Sequence, residues 1–486
     1  MSQEEEDQPA SPLARMLQAP TVNLCVLTVL GFKTTIDVNL FKQELQLTLL
    51  KHPRFSSVLI EKDKKRGEYS WRRTKVDIEN HVFIPDLDYN MESPDEFVED
   101  FMSETSKYDM DMTRPLWEFY ILNVKTSKAN STIILKTHHS IGDGVSLISL
   151  LMACAKKTSE SNSPTIFSTK KKTSNIRNNG MMITRLLTNV WTTFLIYFNT
   201  LVDMLWVLAT IMFLKDSKTP IKGERGVELS PKRFVHRIID FDDIKLVKTA
   251  MNVSVNDVAT GVAKAGLTRY LKTRYGQQSQ SNEEVHVKIN NLLPKNLRLT
   301  SIVCFNLRQS PFIEDLADIM ENEEKLKGKW GNIFALAHLP LMTMRLQDHN
   351  DPLAYIHRAK AAMDRKKLSL EHICYAMLVT MLTKFFGMKS AAAMTSRILW
   401  NTTLLFSNMM GPPKEIAPFG HPLCYIAPTL TGFPQALVVH FQSYADKFII
   451  SIAADEKLIP NPHKLCDDIV KSLEDVKDSL IKRGFI

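Results

Sequence analysis

Two adjacent histidines stand five residues ahead of a glycine in Thr137-His138-His139-Ser140-Ile141-Gly142-Asp143-Gly144. By type and spacing these residues are the ones best suited to do chemistry. A neutral imidazole with a pKa near 6.5 takes up a proton close to cytosolic pH, so it can serve as a general base. Residues 131–136 form an apolar, strand-like run, and 145–155 form an apolar, helix-like one. A histidine here would stand at the end of a strand, held by a glycine turn that includes Gly144. The plainer alternative is a pair of loop histidines beside an aspartate that caps a helix.

The elements around this motif read as α/β. Strand-like runs occur at 23–29, 117–124, 233–241, 400–406 and 448–454, and helical periodicity at 38–50, 242–251, 255–275 and 462–481. Residues 1–12 read as a disordered acidic tail, 13–160 as an N-terminal lobe, 161–226 as a basic linker plus a hydrophobic segment, and 227–486 as a C-terminal lobe. An acidic start is unlike the basic head of a secretory signal. Residues 191–214 are long and apolar enough to cross a bilayer. Asn199 and Asp203 are four apart and share one helical face, which predicts an in-plane amphipathic helix instead of a span.

The chain has 486 residues and 44% hydrophobic content, enough for a sizeable core. Its net charge of +8 is scattered, with no basic stripe interleaved with aromatics, so nucleic acid is not an expected partner. The charge suits an anionic membrane surface or anionic co-substrate. Cys25, Cys154, Cys304, Cys374, Cys424 and Cys466 are far apart. That predicts neither a disulfide framework nor a bound metal, and it predicts a reducing compartment.

The blocks along the chain resemble those of the plant-type wax ester synthase/diacylglycerol acyltransferase family. His138-His139-x-x-x-Asp143-Gly144 is similar to the family's HHxxxDG motif. Pro115-Leu116-Trp117-Glu118, Ser11-Pro12 and His52-Pro53-Arg54-Phe55 resemble its PLWE, SP and HPRF blocks. Val255-Asn256-Asp257-Val258, Ser407-Asn408-Met409-Met410-Gly411-Pro412, Phe419-Gly420-His421-Pro422 and Pro462-His463-x-Leu465-Cys466-Asp467-Asp468 follow in family order.

The resemblance implies a two-lobed fold like chloramphenicol acetyltransferase and other CoA-dependent acyltransferases, with an active-site tunnel between the lobes. It implies an acyltransferase that makes wax esters from fatty acyl-CoA and a long-chain alcohol, and leaves triacylglycerol formation from diacylglycerol open as a second activity. No bound cofactor is implied; acyl-CoA is a co-substrate. His139 would be the base and His138 a supporting residue. Asp143 alone could orient a catalytic histidine as in a triad. The resemblance has it face away from the base and brace the loop, with Arg308, upstream of Gly331-Asn332, as the candidate partner. Ser407, Asn408 and Asn256 are candidates for holding the oxyanion, although turn and cap roles fit them too, while Gly144 and Gly411 read as structural.

The implied location is the endoplasmic reticulum membrane with cytosolic lobes, with the plasma membrane as the alternative. Two other functions fit parts of the sequence. One is a soluble acyltransferase of specialised metabolism, disfavoured by the apolar segment and the lack of a DFGWG-type motif. The other is a non-catalytic lipid-binding protein that keeps the fold. HHxxxDG also marks peptide-synthetase condensation domains, but no carrier domain is recognisable here.

Overall fold

A computed structural model gives the arrangement of residues 7–18, 23–63, 67–88, 90–158, 181–281, 293–294, 297–313, 315–320, 322–343 and 351–486. Fourteen strands in these residues form three sheets. They are β1 (Gln8–Pro9), β2 (Cys25–Phe32), β3 (Ser57–Asp63), β4 (Glu68–Arg73), β5 (Val82–Phe83), β6 (Trp117–Leu122) and β7 (Ser131–His138), then β8 (Lys232–Asp240), β9 (Arg298–Asn306), β10 (Phe334–Thr343), β11 (Leu404–Met409), β12 (Leu423–Thr431), β13 (Leu437–Tyr444) and β14 (Lys447–Asp455).

One sheet runs β12-β2-β7-β6-β5, the second β10-β9-β11-β13-β14-β8, and a small third β1-β4-β3. β2 and β7 are buried along their whole length. They therefore read as near-continuous apolar runs and not as alternating ones. The six-stranded sheet separates two cores. Leu404, Phe406, Val439, Phe441 and Ile450 point to a core shared with the helices Val255–Ser281 and Pro462–Lys482. Their neighbours Leu405, Val438, Ile449 and Ala453 point to a core shared with the first half of the chain, as strand alternation requires.

Four features depart from the sequence reading. β12 belongs to the second half but pairs antiparallel with β2, from Thr431 opposite Cys25 to Leu423 opposite Phe32. The expected lobe 227–486 thus lends a strand to the sheet of the other lobe. Residues 8–9, expected in a tail, pair with Trp71 and Ser70, and Ser11 caps the helix Pro12–Met16. Trp400 and Asn401 close the helix Met388–Asn401, so the strand expected over 400–406 starts at Leu404. The apolar segment lies in one helix, Met181–Met212, that stops short of Leu214. Of the linker and hydrophobic segment expected over 161–226, residues 161–180 fall outside the described residues.

Candidate active site

β7 ends at His138, and the chain leaves it through His139 to the helix Gly144–Thr158. The two rings have different partners. His138 is almost wholly buried. Its Nε2 lies 2.9 Å from Asn23 Oδ1, and its Nδ1 lies 2.7 Å from Ser140 Oγ and 3.1 Å from Gln18 Nε2. An amide oxygen only accepts and an amide nitrogen only donates, so His138 carries its proton on Nε2 and both ring nitrogens are occupied. Burial, helped by the neighbouring His139, pushes its pKa down to about 3.

His139 is held differently. Its Nδ1 donates to Asn332 Oδ1 at 2.9 Å, and Asn332 Nδ2 donates back to the His139 carbonyl at 2.8 Å. The backbone N–H of His139 donates to Leu24 O. This pair fixes the tautomer and leaves the Nε2 lone pair without a partner among the described residues. Burial holds the His139 pKa below the ordinary histidine value, so the ring is neutral and ready to accept a proton. His139 lines a cavity of ≈ 270 Å³ whose other walls, such as Leu24, Phe334, Tyr375, Val379 and Leu405, are largely apolar.

Asp143 faces away from the imidazole. Its Oδ2 accepts from Arg308 Nη1 at 2.7 Å and from Ile333 N at 2.9 Å, and its Oδ1 accepts from Ser146 N at 3.0 Å. Arg308 also donates to Ser146 Oγ, Gly331 O and Lys329 O. Both charged side chains are 7% exposed. Three of these hydrogen bonds, Arg308 to Asp143, Arg308 to Ser146 and Ile333 N to Asp143, tie the loop after His139 to residues 308–333. A Cβ on Gly144 would run into the Met409 thioether, and one on Gly411 would run into the Ser443 carbonyl. The second clash is with backbone and requires glycine at 411, whereas the flexible Met409 side chain can yield at 144.

The three oxyanion candidates fall on different faces. Ser407 lies on β11 between Leu405, which lines the His139 cavity, and Met409, which abuts Gly144. It therefore faces the same seam between the lobes. Asn408 points the other way and donates to Asn256 Oδ1 at the start of Val255–Ser281. Neither asparagine lines the cavity around His139.

Opposite Ser407 in the ladder is His440, then Ser451 on β14, then His236 on β8. His440 Nε2, Ser451 Oγ and His236 Nε2 are buried with no hydrogen-bond partner among the described residues. Burial, and after it the proximity of His139, pushes the His440 pKa down to about 3. Ser451 and His236 line a second cavity of ≈ 260 Å³ with Glu99, Lys128, Tyr425 and His463. Sequence reasoning named Asn332 only as a landmark and passed over His440 and His236. The seam to which they point is made only when two distant halves pack.

The two-lobed fold is of the CoA-dependent-acyltransferase kind, and the relatives of the chain make the protein an acyltransferase. The wax ester synthase/diacylglycerol acyltransferase catalytic domain model matches residues 21–259, and the WS/DGAT C-terminal domain model matches 330–477. Two similar proteins are wax ester synthase/diacylglycerol acyltransferases 11 and 7 of Arabidopsis thaliana. They are 44% and 41% identical over 99% of this chain, and cover 96% and 99% of their own lengths. The chain belongs to the wax ester synthase/diacylglycerol acyltransferase family. Among solved structures, the wax ester synthase/diacylglycerol acyltransferase of Marinobacter aquaeolei VT8 superposes with a TM-score of 0.57 at 17% identity, covering 98% of this chain and 100% of that one. The first condensation domain of the CDA synthetase superposes with 0.55 at 12%, covering 98% of each. At these identities the likeness concerns the fold alone.

Proposed function

We propose that this protein transfers a long-chain acyl group from acyl-CoA to a long-chain alcohol, releasing a wax ester and free CoA, with diacylglycerol as a second acceptor. The observation that carries this reading is the Nε2 lone pair of a neutral, tautomer-locked His139 at the wall of an apolar cavity. The alcohol hydroxyl gives its proton to Nε2 as its oxygen attacks the thioester carbonyl. The tetrahedral oxyanion then collapses and expels the CoA thiolate, which takes the proton back from the imidazolium. The thioester is already activated, so no acyl-enzyme is needed.

Ser407, on the face of β11 that carries Leu405 and Met409, supports the reading as the candidate donor to the oxyanion. The row Ser407-His440-Ser451-His236 offers unpaired polar atoms to the amide-bearing arm of CoA. The apolar cavity suits the hydrocarbon chains. A membrane setting, with the lobes on the cytosolic side of the endoplasmic reticulum, fits acceptors that reside in a bilayer.

The test is an assay of purified protein with palmitoyl-CoA and either hexadecanol or diacylglycerol, following ester and free thiol. The expected result is ester formation that falls by at least about 10²-fold in His139→Ala, the scale of general-base removal. Absence of both esters, or an unchanged rate in the variant, overturns the reading.

A further inference from the structure

An exposed apolar surface runs along two neighbouring helices, and one of them also walls the His139 cavity. On Met181–Met212, Trp191, Phe194, Phe198, Leu201, Leu205 and Leu208 are each more than half exposed and recur every three or four residues. They form a single stripe. The opposite stripe is fastened to the protein. Asn199 Nδ2 donates to Leu368 O, Leu370 N donates to Thr200 Oγ1, and Asp203 lies 2.8 Å from Arg365 and 3.1 Å from Lys366. Asn401 Nδ2 donates to Thr210 O.

Glu371–Phe386 repeats the pattern. Ile373, Met377, Met381 and Phe385 are spaced by four and exposed. Tyr375 and Val379, on the other side of the same helix, are buried and line the His139 cavity.

Charge selects the occupant of this surface. The carboxylates of Asp203 and Glu371 are buried in ion pairs. No other acid occurs in these two helices or in Met388–Asn401, which packs beside them, whereas Lys384, Lys389 and Arg397 are exposed. A cationic rim around aromatic and aliphatic side chains fits an anionic lipid surface. A second copy docked face to face would bring like charges together. A span through the bilayer would strip Asn199 and Asp203 of their partners in a medium that offers none.

We propose that Glu371–Phe386 and Met181–Met212 lie together on an anionic bilayer, and that the acyl acceptor passes from the membrane along Glu371–Phe386 into the His139 cavity. This rests on the reaction proposed above. The helix acts as a wall shared by membrane and cavity, so an acceptor already dissolved in lipid reaches His139 without crossing water. Met377, Met381 and Phe385 touch lipid and not the reacting atoms.

The test uses the full chain, wild type and M377E/M381E, with vesicles of phosphatidylcholine alone or with phosphatidylserine. Wild type is expected to float with the phosphatidylserine vesicles, and the variant to bind them at least about tenfold more weakly. With hexadecanol in the vesicles the variant's KM should rise at least about tenfold, while its turnover of water-soluble butanol stays within about twofold. Both replaced side chains are solvent-facing, and an unchanged Tm confirms the fold.

Equal vesicle binding overturns the proposal, as do equal effects on both alcohols or a wild-type dimer that the variant dissolves. If wild type floats but esterifies neither alcohol, the reaction reading falls, and the docking surface stands or falls on flotation of the variant alone.

Discussion

A strand that ends between two histidines sends their rings to opposite sides, and the neighbours on each side decide what each ring can do. His138 has three side-chain partners, so both of its nitrogens are committed. His139 has one, and that partner determines which nitrogen stays basic. In the proposed reaction Asn332 is therefore a positioning residue for His139. Replacing it with alanine frees the ring to rotate and to change tautomer, and kcat is expected to fall by at least about tenfold with the KM for acyl-CoA little changed. Asn332 also raises the His139 pKa through its hydrogen bond. Without it the pKa drops further, and the acid limb of the kcat/KM profile moves to lower pH. A residue that served only packing would slow the enzyme without moving that limb. Strand, turn and helix signals single out the histidine pair, and the family resemblance selects His139 from it. Sequence spacing is silent on Asn332, which lies 193 positions away and becomes a partner only by packing.

The same contrast holds for the elements. The brace between the loop at Asp143 and the segment after β9 is legible only through the family resemblance, since the residues alone leave Asp143 open as an orienter of a histidine. Breaking it from one side leaves a buried charge alone. Arg308→Ala should cost roughly 3–5 kcal/mol in denaturant unfolding, and D143N/R308M should cost less than the sum of its two single substitutions. Additive losses would show that the two side chains stabilise the fold independently. The helix Glu371–Phe386 is the opposite case. Met377 and Val379 are equally apolar in sequence, yet one is 59% exposed and the other 7%. Periodicity finds a stripe and cannot say whether core or membrane lies beyond it. The strand expected from Trp400 fails for a related reason, since Trp400 and Ile398 are apolar to the last turn of a helix that packs on Met181–Met212.

At the scale of the molecule, the strand β12 makes the lobes interdependent. Its partner β2 lies some 400 positions away, a pairing no local pattern announces. The seam that results buries His138, His236 and His440, each with its pKa pushed down to about 3 by burial. The unfolded chain takes up protons at these residues near 6.5, well before the folded chain does. Their contribution to stability is therefore complete above about pH 6.5 and is lost as pH falls from there toward 3. Glu99 works against them. Burial raises its pKa to about 7, so its folded form holds a proton that the unfolded form, at about 4.5, has released, and it stabilises the fold increasingly as pH falls from 7 to 4.5. Below pH 6.5 these three histidines, joined by the buried His52 and His139, outnumber the buried carboxyls Glu99 and Asp216 whose pKa values burial raises, so acid destabilises the fold on balance. Thermal unfolding followed from pH 7 to pH 5 should show one transition that moves down by several degrees. His440→Gln should flatten that slope by about one proton, and a Tm independent of pH across this range would show that the seam does not hold these histidines neutral.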